Sequence, residues 1–366
     1  LPSITFQESE FNRVVEWLRQ QTIVETKGVY KDLNVTIKGF TFVFGLGGIH
    51  GSVDSQIIES DDEYMIVDVD VSSYYPNLAI VNEFFPEHLG YMFCVIYKTL
   101  YEERQKYPKK STESEMLKLA LNGVYGDSNS HFSVFYDPLF TMKITLNGQL
   151  LLCLLAEKLM EFSELIQINT DGMTVKILRR DLHKLNEACE QWETFTKLNL
   201  EHATYSKMFV RDVNNYVALY DDGRVKRKGD YEHRKEWHQN QSALVVPKVV
   251  EKVLLEGVSI KETVENWPDI MDFMCRAKVP RSSRLVIKEN DTESQLQNTT
   301  RYYVAVSGGN LVKIMPPLKG KTEERRFNIE SGWGVQVCND IKDAGKLPIN
   351  YDYYIQEVEK LCLGLK

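Results

Sequence analysis

The sequence lacks the cysteine pairing on which a zinc site or a disulfide framework depends. Its six cysteines, Cys94, Cys153, Cys189, Cys275, Cys338 and Cys362, are widely scattered, with no C-x-x-C pair and no histidine at ligand spacing. Reduced thiols in a cytoplasm are the simplest expectation. Long apolar runs are missing too: the best, LLLCLLA at 150–156, falls far short of the roughly 18 residues that cross a bilayer and reads as a buried helix. No basic segment followed by an apolar stretch opens the chain, so no secretory signal is indicated, and Leu1 in place of an initiator Met points to a trimmed or partial chain. Internal repeats and low-complexity linkers are absent.

Positive charge is short as well. The net charge of −8 weighs mildly against nucleic acid, whose phosphates are neutralised by Lys and Arg. The basic residues nevertheless gather in three places: Lys98, Arg104, Lys106, Lys109, Lys110 and Lys118; then Arg224, Lys226, Arg227, Lys228, Arg234 and Lys235; then Lys313, Lys319, Lys321, Arg325 and Arg326. Such clusters are more often solvated faces than binding stripes. What is present in quantity is apolar and aromatic residues, 43% and 11% of 366, enough for a large core and two or three subdomains.

Periodicity predicts a helix over 8–22, strands over 34–44 and 64–71, and a turn or close-approach loop at GLGGIHG between them. From Pro86 to Gly126 the pattern is helical twice, broken at YPKKST (107–112), which makes a two-helix hairpin. A long helix is expected over 145–162, a strand-turn-strand at QINTDGMTVKIL (167–178), and a β pair over 214–231. Helices are expected at 242–256 and 259–277, the second interrupted by Pro268, then β structure at 283–315 and a helix near 351–363.

Three segments carry candidate chemistry. In IVDVDVSSYYPNLAI (66–80) an apolar strand sets Asp68 and Asp70 on one face by its period of two and then turns at Pro76. A carboxylate at a buried strand end normally finds a cation, a cap or a metal; pointing to solvent is the bland alternative. KLALNGVYG (118–126) puts Lys118, Asn122 and Tyr125 on one side of a helix, where Lys118 suits a phosphate and Gly123 leaves room for something flat. An amphipathic helix ending at a Gly126 C-cap accounts for the same letters. INTDGMTV (168–175) sets Asp171 at a hairpin tip, where an aspartate is ordinarily turn chemistry. Packed beside Asp70, it would form the carboxylate pair that two-metal phosphoryl transfer requires.

Their order and spacing resemble a family. DVSSYYP is similar to the D-x-x-S-L-Y-P signature of family B DNA polymerases, KLALNGVYG to their K-x-x-x-N-S-x-Y-G, and NTDG to their D-T-D-S; GLGG at 45–48 resembles the Y-x-G-G element that precedes the palm in phage members and touches the template. The resemblance spans roughly residues 40–235. It implies an α+β right-hand polymerase with an antiparallel-sheet palm, short two-helix fingers and a mixed helical and β thumb. The implied divisions are a pre-palm segment with its template loop (1–63), palm (64–85 and 128–229), fingers (86–127) and thumb (230–366). The implied activity is template-directed transfer of a dNTP onto a primer 3′-hydroxyl, using two Mg²⁺ ions with Mn²⁺ as a substitute.

Residue by residue, the resemblance makes Asp70, Asp171 and the main-chain carbonyl of Val71 metal ligands, with Lys118 catalytic beside them. Tyr75 becomes the gate that excludes a 2′-hydroxyl, with Ser73 and Tyr74 beside it. Arg104 and Lys118 hold the triphosphate, and Asn122, Gly123 and Tyr125 floor the nascent base pair. DNA contacts fall to Gly47, Gly48, Gly126 and Thr170, to Tyr216 of VNNYVAL (213–219), and to Lys226 and Lys228 of VKRKGDY (225–231). By position, TRYYVAV (300–306) adds Arg301 and Tyr302, an ordinary amphipathic strand being the bland reading.

The sequence departs from the family's pattern at Asn169 for the first Asp of D-T-D-S, Gly172 and Gly123 for Ser, Gly45 for Tyr and Asn214 for Lys. The glycines are expected to loosen contacts without deleting a ligand; Asp68 is the nearest third carboxylate, and two ligands are the expectation. Only about forty residues precede GLGG, so no proofreading from this chain is expected, and the short fingers argue against a protein primer. Primer-template DNA and dNTP are the implied partners, with a separate exonuclease or processivity subunit; a monomer in the cytoplasm, the host's if of phage origin, completes the expectation. The competing reading is a catalytically inactive relative acting as a DNA-binding scaffold. An RNA-templated enzyme lacks support, since Y-x-D-D is absent.

Overall fold

A computed structural model describes residues 4–22, 26–233, 242–340 and 347–365. Arg234 and Lys235 of the second basic cluster lie outside the described residues. The fold is mixed helix and antiparallel sheet, and the chain divides into two compact units, Leu1–Val213 with Ala218–Lys226, and Asn214–Val217 with Arg227–Lys366.

In the first unit the elements run α1 (Ser9–Arg19), β1 (Asn34–Ile37), β2 (Phe40–Gly45), β3 (Gly48–Ser52), β4 (Gln56–Glu59), β5 (Tyr64–Val71), α2 (Tyr74–Val81), α3 (Met92–Gln105), α4 (Thr112–Asp127), α5 (Pro138–Leu159), β6 (Ser163–Asn169), β7 (Gly172–Leu178), α6 (Leu182–Thr196) and β8 (Leu200–Asp212). The chain then forms β9 (Asn215–Tyr220) and β10 (Val225–Lys228), along which the division between units falls. The sheet order is β1-β2-β3-β6-β7-β5-β8-β9-β10, with β4 also on β8. β5 is therefore interior, antiparallel to β7 on one side and β8 on the other. This explains its nearly continuous apolar letters: a strand paired on both edges and packed on its faces accepts few polar side chains.

Helix α5 supplies the floor beneath the sheet. Asp137 caps it by accepting hydrogen bonds from the Leu139 and Phe140 N–H groups at 2.9 and 3.0 Å, and Pro138 occupies the first helical position, where no N–H is needed. The helix thus starts seven residues before the expected 145. Its full length and composition would suffice to cross a membrane, but most of it is buried in this unit, as an all-round apolar core helix must be. Asp137 also accepts the Glu87 N–H at 2.9 Å, tying the start of α5 to the segment before α3. Asp137→Ala is expected to cost about 1–2 kcal/mol, read as a lower urea midpoint with an unchanged slope.

The expected helical hairpin is α3 and α4. Ser111 caps α4 by accepting the Ser114 N–H, but Gly126 does not end it: the helix continues to Asp127 with Ser128 as the C-cap, and Gly126 keeps a helical backbone. Helix α6 and the 13-residue β8 have no counterpart among the sequence expectations.

The second unit contains α7 (Val245–Glu256), α8 (Ile260–Glu265), β11 (Cys275–Lys278), β12 (Arg284–Glu289), β13 (Thr292–Leu296), the 17-residue β14 (Thr299–Met315), β15 (Arg325–Ile329), β16 (Val335–Val337) and α9 (Tyr351–Cys362). The long β14 pairs with β11, β12, β15 and β16. The helix expected over 259–277 is thus cut short: Pro268 and the Asp269 cap begin a single 3₁₀ turn, and Cys275–Lys278 joins the sheet.

Candidate active site

The register of β5 against β7 places Asp70 opposite Gly172 at the edge of the 169–172 turn. Asp171 adjoins it, since its carbonyl accepts the Val71 N–H at 2.7 Å. The two carboxyl-bearing residues the sequence singled out therefore meet where β5 ends and the β6–β7 hairpin turns. A Cβ at position 172 would lie 1.9 Å from Asp70 Oδ1 and 2.7 Å from the Val69 carbonyl. Glycine here is thus not a loosened contact, as the sequence comparison suggested; it makes the space in which the Asp70 carboxylate sits.

The turn itself is held under strain. Thr170 is β-branched yet has a φ of 51°, a backbone region costing of order 1–3 kcal/mol that persists only where the surroundings dictate it. Its N–H donates to the Ile49 carbonyl at 2.9 Å, and its hydroxyl lies 3.2 Å from Asn169 Oδ1 and 3.1 Å from His50 Nε2. His50 lies directly opposite Asn169 on β3 and went unnoticed in the sequence, where its only signal is its place just after GLGG. Burial pushes the His50 imidazole below its ordinary pKa of 6.5, with the Gly48 backbone opposing. A depressed histidine pKa means that the unfolded chain takes up the proton first, so stability is expected to fall as pH drops through 6.5 and below. His50→Gln should flatten that acid limb of a stability-versus-pH curve.

Asp68 lies one strand period before Asp70, is 4% exposed, and is fully engaged. Thr174 Oγ1 donates to it at 2.6 Å, the Tyr205 hydroxyl at 2.5 Å and Lys226 Nζ at 3.0 Å. Three donors around a buried carboxylate replace the water it gave up. The same Lys226 Nζ is 3.9 Å from Asp70 Oδ2. Lys226, expected on DNA, therefore stands within the acidic cluster and bridges its two carboxylates.

Strand β5 passes into α2 through Ser73, whose φ is 46°; the turn is here and not at Pro76, which lies inside the first turn of α2. Arg104 of α3 reaches this turn, donating to Ser73 Oγ at 2.9 Å and to the Ser114 carbonyl at 3.3 Å. Ser72 donates to Glu201, which also pairs with Lys109 at 2.9 Å. Tyr75 and Tyr125 meet with ring centroids 4.4 Å apart, and the Tyr75 hydroxyl donates to the Gly47 carbonyl at 2.6 Å. Burial, with help from Tyr125 and Asp171, raises the Tyr75 phenol well above its ordinary value, so it is a neutral donor. Lys118 and Asn122 are exposed on α4, on the side that ends at Tyr125. Lys118 lies 3.9 Å from Glu115, an exposed pair of little energetic weight.

Three expected contacts are corrected by burial. Tyr74 is 3% exposed and its hydroxyl donates to the Gly148 carbonyl of α5, so its side chain faces the core rather than a nucleotide. In the second unit Tyr216 is 2% exposed, and Tyr302 is 3% exposed with its hydroxyl on Glu330 at 2.7 Å. Both rings lie in runs of consecutive buried strand residues, while Arg301, next to Tyr302 on β14, is half-buried. Gly123 and Gly126 have open space around them, and Lys228 is exposed.

The donor set fits a divalent cation of the Mg²⁺ kind. Mg²⁺ takes one or two protein carboxylates and keeps waters and phosphate oxygens for the rest. Asp70 and Asp171 could supply such carboxylates, and Gly172 leaves the room a side chain would fill; among the described residues no group of three or more His, Cys, Asp or Glu is placed to hold a metal.

No protein-family model matches the chain, and no curated protein matches it. A solved structure, the family B DNA polymerase from the hyperthermophilic archaeon Pyrobaculum calidifontis, is similar over 86% of this chain at a TM-score of 0.44 and 17% identity. The similarity covers 46% of that polymerase, so this chain spans less than half its length.

Proposed function

We propose that this chain extends DNA primers, transferring nucleotides from dNTPs in the order a template dictates. The observation that carries the reading is the meeting of Asp70 and Asp171 at the β5 end and the β6–β7 turn, in a chain whose three signature segments occur in the polymerase order. Asp70, Asp171 and the Val71 main chain would hold the divalent ions. Bound there, such ions would supply Lewis-acid activation of the primer hydroxyl and stabilisation of the leaving pyrophosphate.

The protein's own groups do the rest. Arg104, anchored on Ser73, and Lys118, exposed on α4, offer cations to the triphosphate from the two helices of the hairpin. Tyr75 and Tyr125 form a paired aromatic wall against which sugar and base would rest, with Asn122 and Gly123 a turn above. The unit around β5 to β8 is the palm in this reading, residues 86–127 the fingers, and 230–366 the thumb.

A second reading has its own observation. Lys226 already neutralises part of the acidic cluster, as suits a relative that binds DNA without turnover. Primer extension with Mg²⁺ and dNTPs on a primer-template separates the two. Template-dependent product supports the polymerase; DNA binding without extension, and without metal-dependent dNTP binding, supports the scaffold and overturns the polymerase reading.

A further inference from the structure

The main chain of the glycine loop between β2 and β3 is occupied by the aromatic wall. The Gly45 N–H donates to Gln149 Oε1 at 2.9 Å. The Leu46 carbonyl lies 3.2 Å from both the Tyr125 hydroxyl and Thr145 Oγ1, and those two side chains are 2.7 Å from each other. The Gly47 carbonyl accepts from the Tyr75 hydroxyl. Gly48 has a φ of +137°, and a Cβ there would lie 2.9 Å from the Tyr75 hydroxyl and 3.0 Å from Thr170 Cα. Two successive carbonyls, of Leu46 and Gly47, thus seat the two rings of the wall, and Gly48 leaves the space that the Tyr75 hydroxyl and Thr170 fill. The back of Tyr75 is closed as well, since a Cβ on Gly148 would be 3.5 Å from its ring.

From this we infer that the Gly47 carbonyl and the side-chain-free Gly48 determine sugar selectivity, by fixing the Tyr75 ring where a 2′-hydroxyl would have to fit. The inference rests on the proposed nucleotidyl transfer and goes beyond the template contact that the resemblance implies for these glycines. A ring pinned at its far end by a hydrogen bond cannot swing aside to admit the larger sugar. A ring that has lost the bond, or whose seat is filled by a methyl group, can.

The readout is the ratio of dNTP to matching rNTP insertion efficiency, taken from single-nucleotide insertion on one primer-template by the full chain. A role confined to folding or to template binding lowers both efficiencies together and leaves the ratio alone. Tyr75→Phe keeps the ring and removes only the bond to Gly47, so the ratio is expected to fall about two- to tenfold, the weight of one hydrogen bond. Gly48→Ala, which displaces the hydroxyl, is expected to lower it on the order of tenfold. Should Gly48→Ala fail to fold, Tyr75→Phe carries the test alone. A ratio unchanged or raised in the folded variants, with primer-template affinity lowered instead, overturns the inference and leaves the polymerase reading standing. A parent chain that extends no primer overturns both.

Discussion

Asp171→Asn is expected to lose primer extension by on the order of 10³-fold while remaining folded. The asparagine keeps the shape of the side chain, and the Asp171 carbonyl that receives the Val71 N–H belongs to the backbone and is untouched. What disappears is one negative charge at the place where divalent cations would be held, an electrostatic term worth several kcal/mol in a phosphoryl-transfer transition state, and each 1.36 kcal/mol is tenfold in rate. Single-turnover extension under saturating dNTP measures the loss, and a melting curve checks that the fold is intact. Asp70→Ala should match it in rate. Extension at half the parental rate or better in either variant would mean that the chemistry lies elsewhere in the molecule.

The part of this site that could be read from letters is the part governed by short-range geometry. The period of two in 64–71 places Asp68 and Asp70 on one face, and a Thr-Asp-Gly centre between β-branched runs forecasts the β6–β7 turn. Which of those aspartates meets which partner is a matter of strand order, and that depends on long-range pairing. β5 lies between β7 and β8, and β8, whose burial alternates poorly over its length, has no clean strand signature of its own. Tyr205 and Thr174, which satisfy Asp68, were illegible for this reason. So was the role of Lys226, 158 positions away in sequence. The inward rings Tyr74, Tyr216 and Tyr302 make the same point from the other side: tyrosine suits both a nucleotide face and a core with a hydrogen-bond acceptor, and the letter does not choose. Gly126 resembled a helix end because glycine commonly makes one, whereas here α4 runs on through it to a Ser128 cap.

Lys226→Met should be the most destabilising single change in the acidic cluster, at about 3–5 kcal/mol. The Asp68 side chain is 5% exposed and that of Lys226 is 21% exposed, so removing the lysine leaves a buried charge with only the Thr174 and Tyr205 hydroxyls to replace hydration. The cost comes from that stranded carboxylate and not from the lost contact alone. Two consequences distinguish the cause. Combining Lys226→Met with Asp68→Asn removes the stranded charge while keeping an amide that the hydroxyls can still meet, so the double variant should regain most of the loss in urea denaturation. The double variant also takes away the cation 3.9 Å from Asp70 Oδ2 without touching Asp70, so a fold restored in this way returns the strand end with its acidic residue in place. A double variant no more stable than Lys226→Met would show that the lysine acts through its packing over the Tyr205 ring, 5.6 Å from its centre, and not through Asp68.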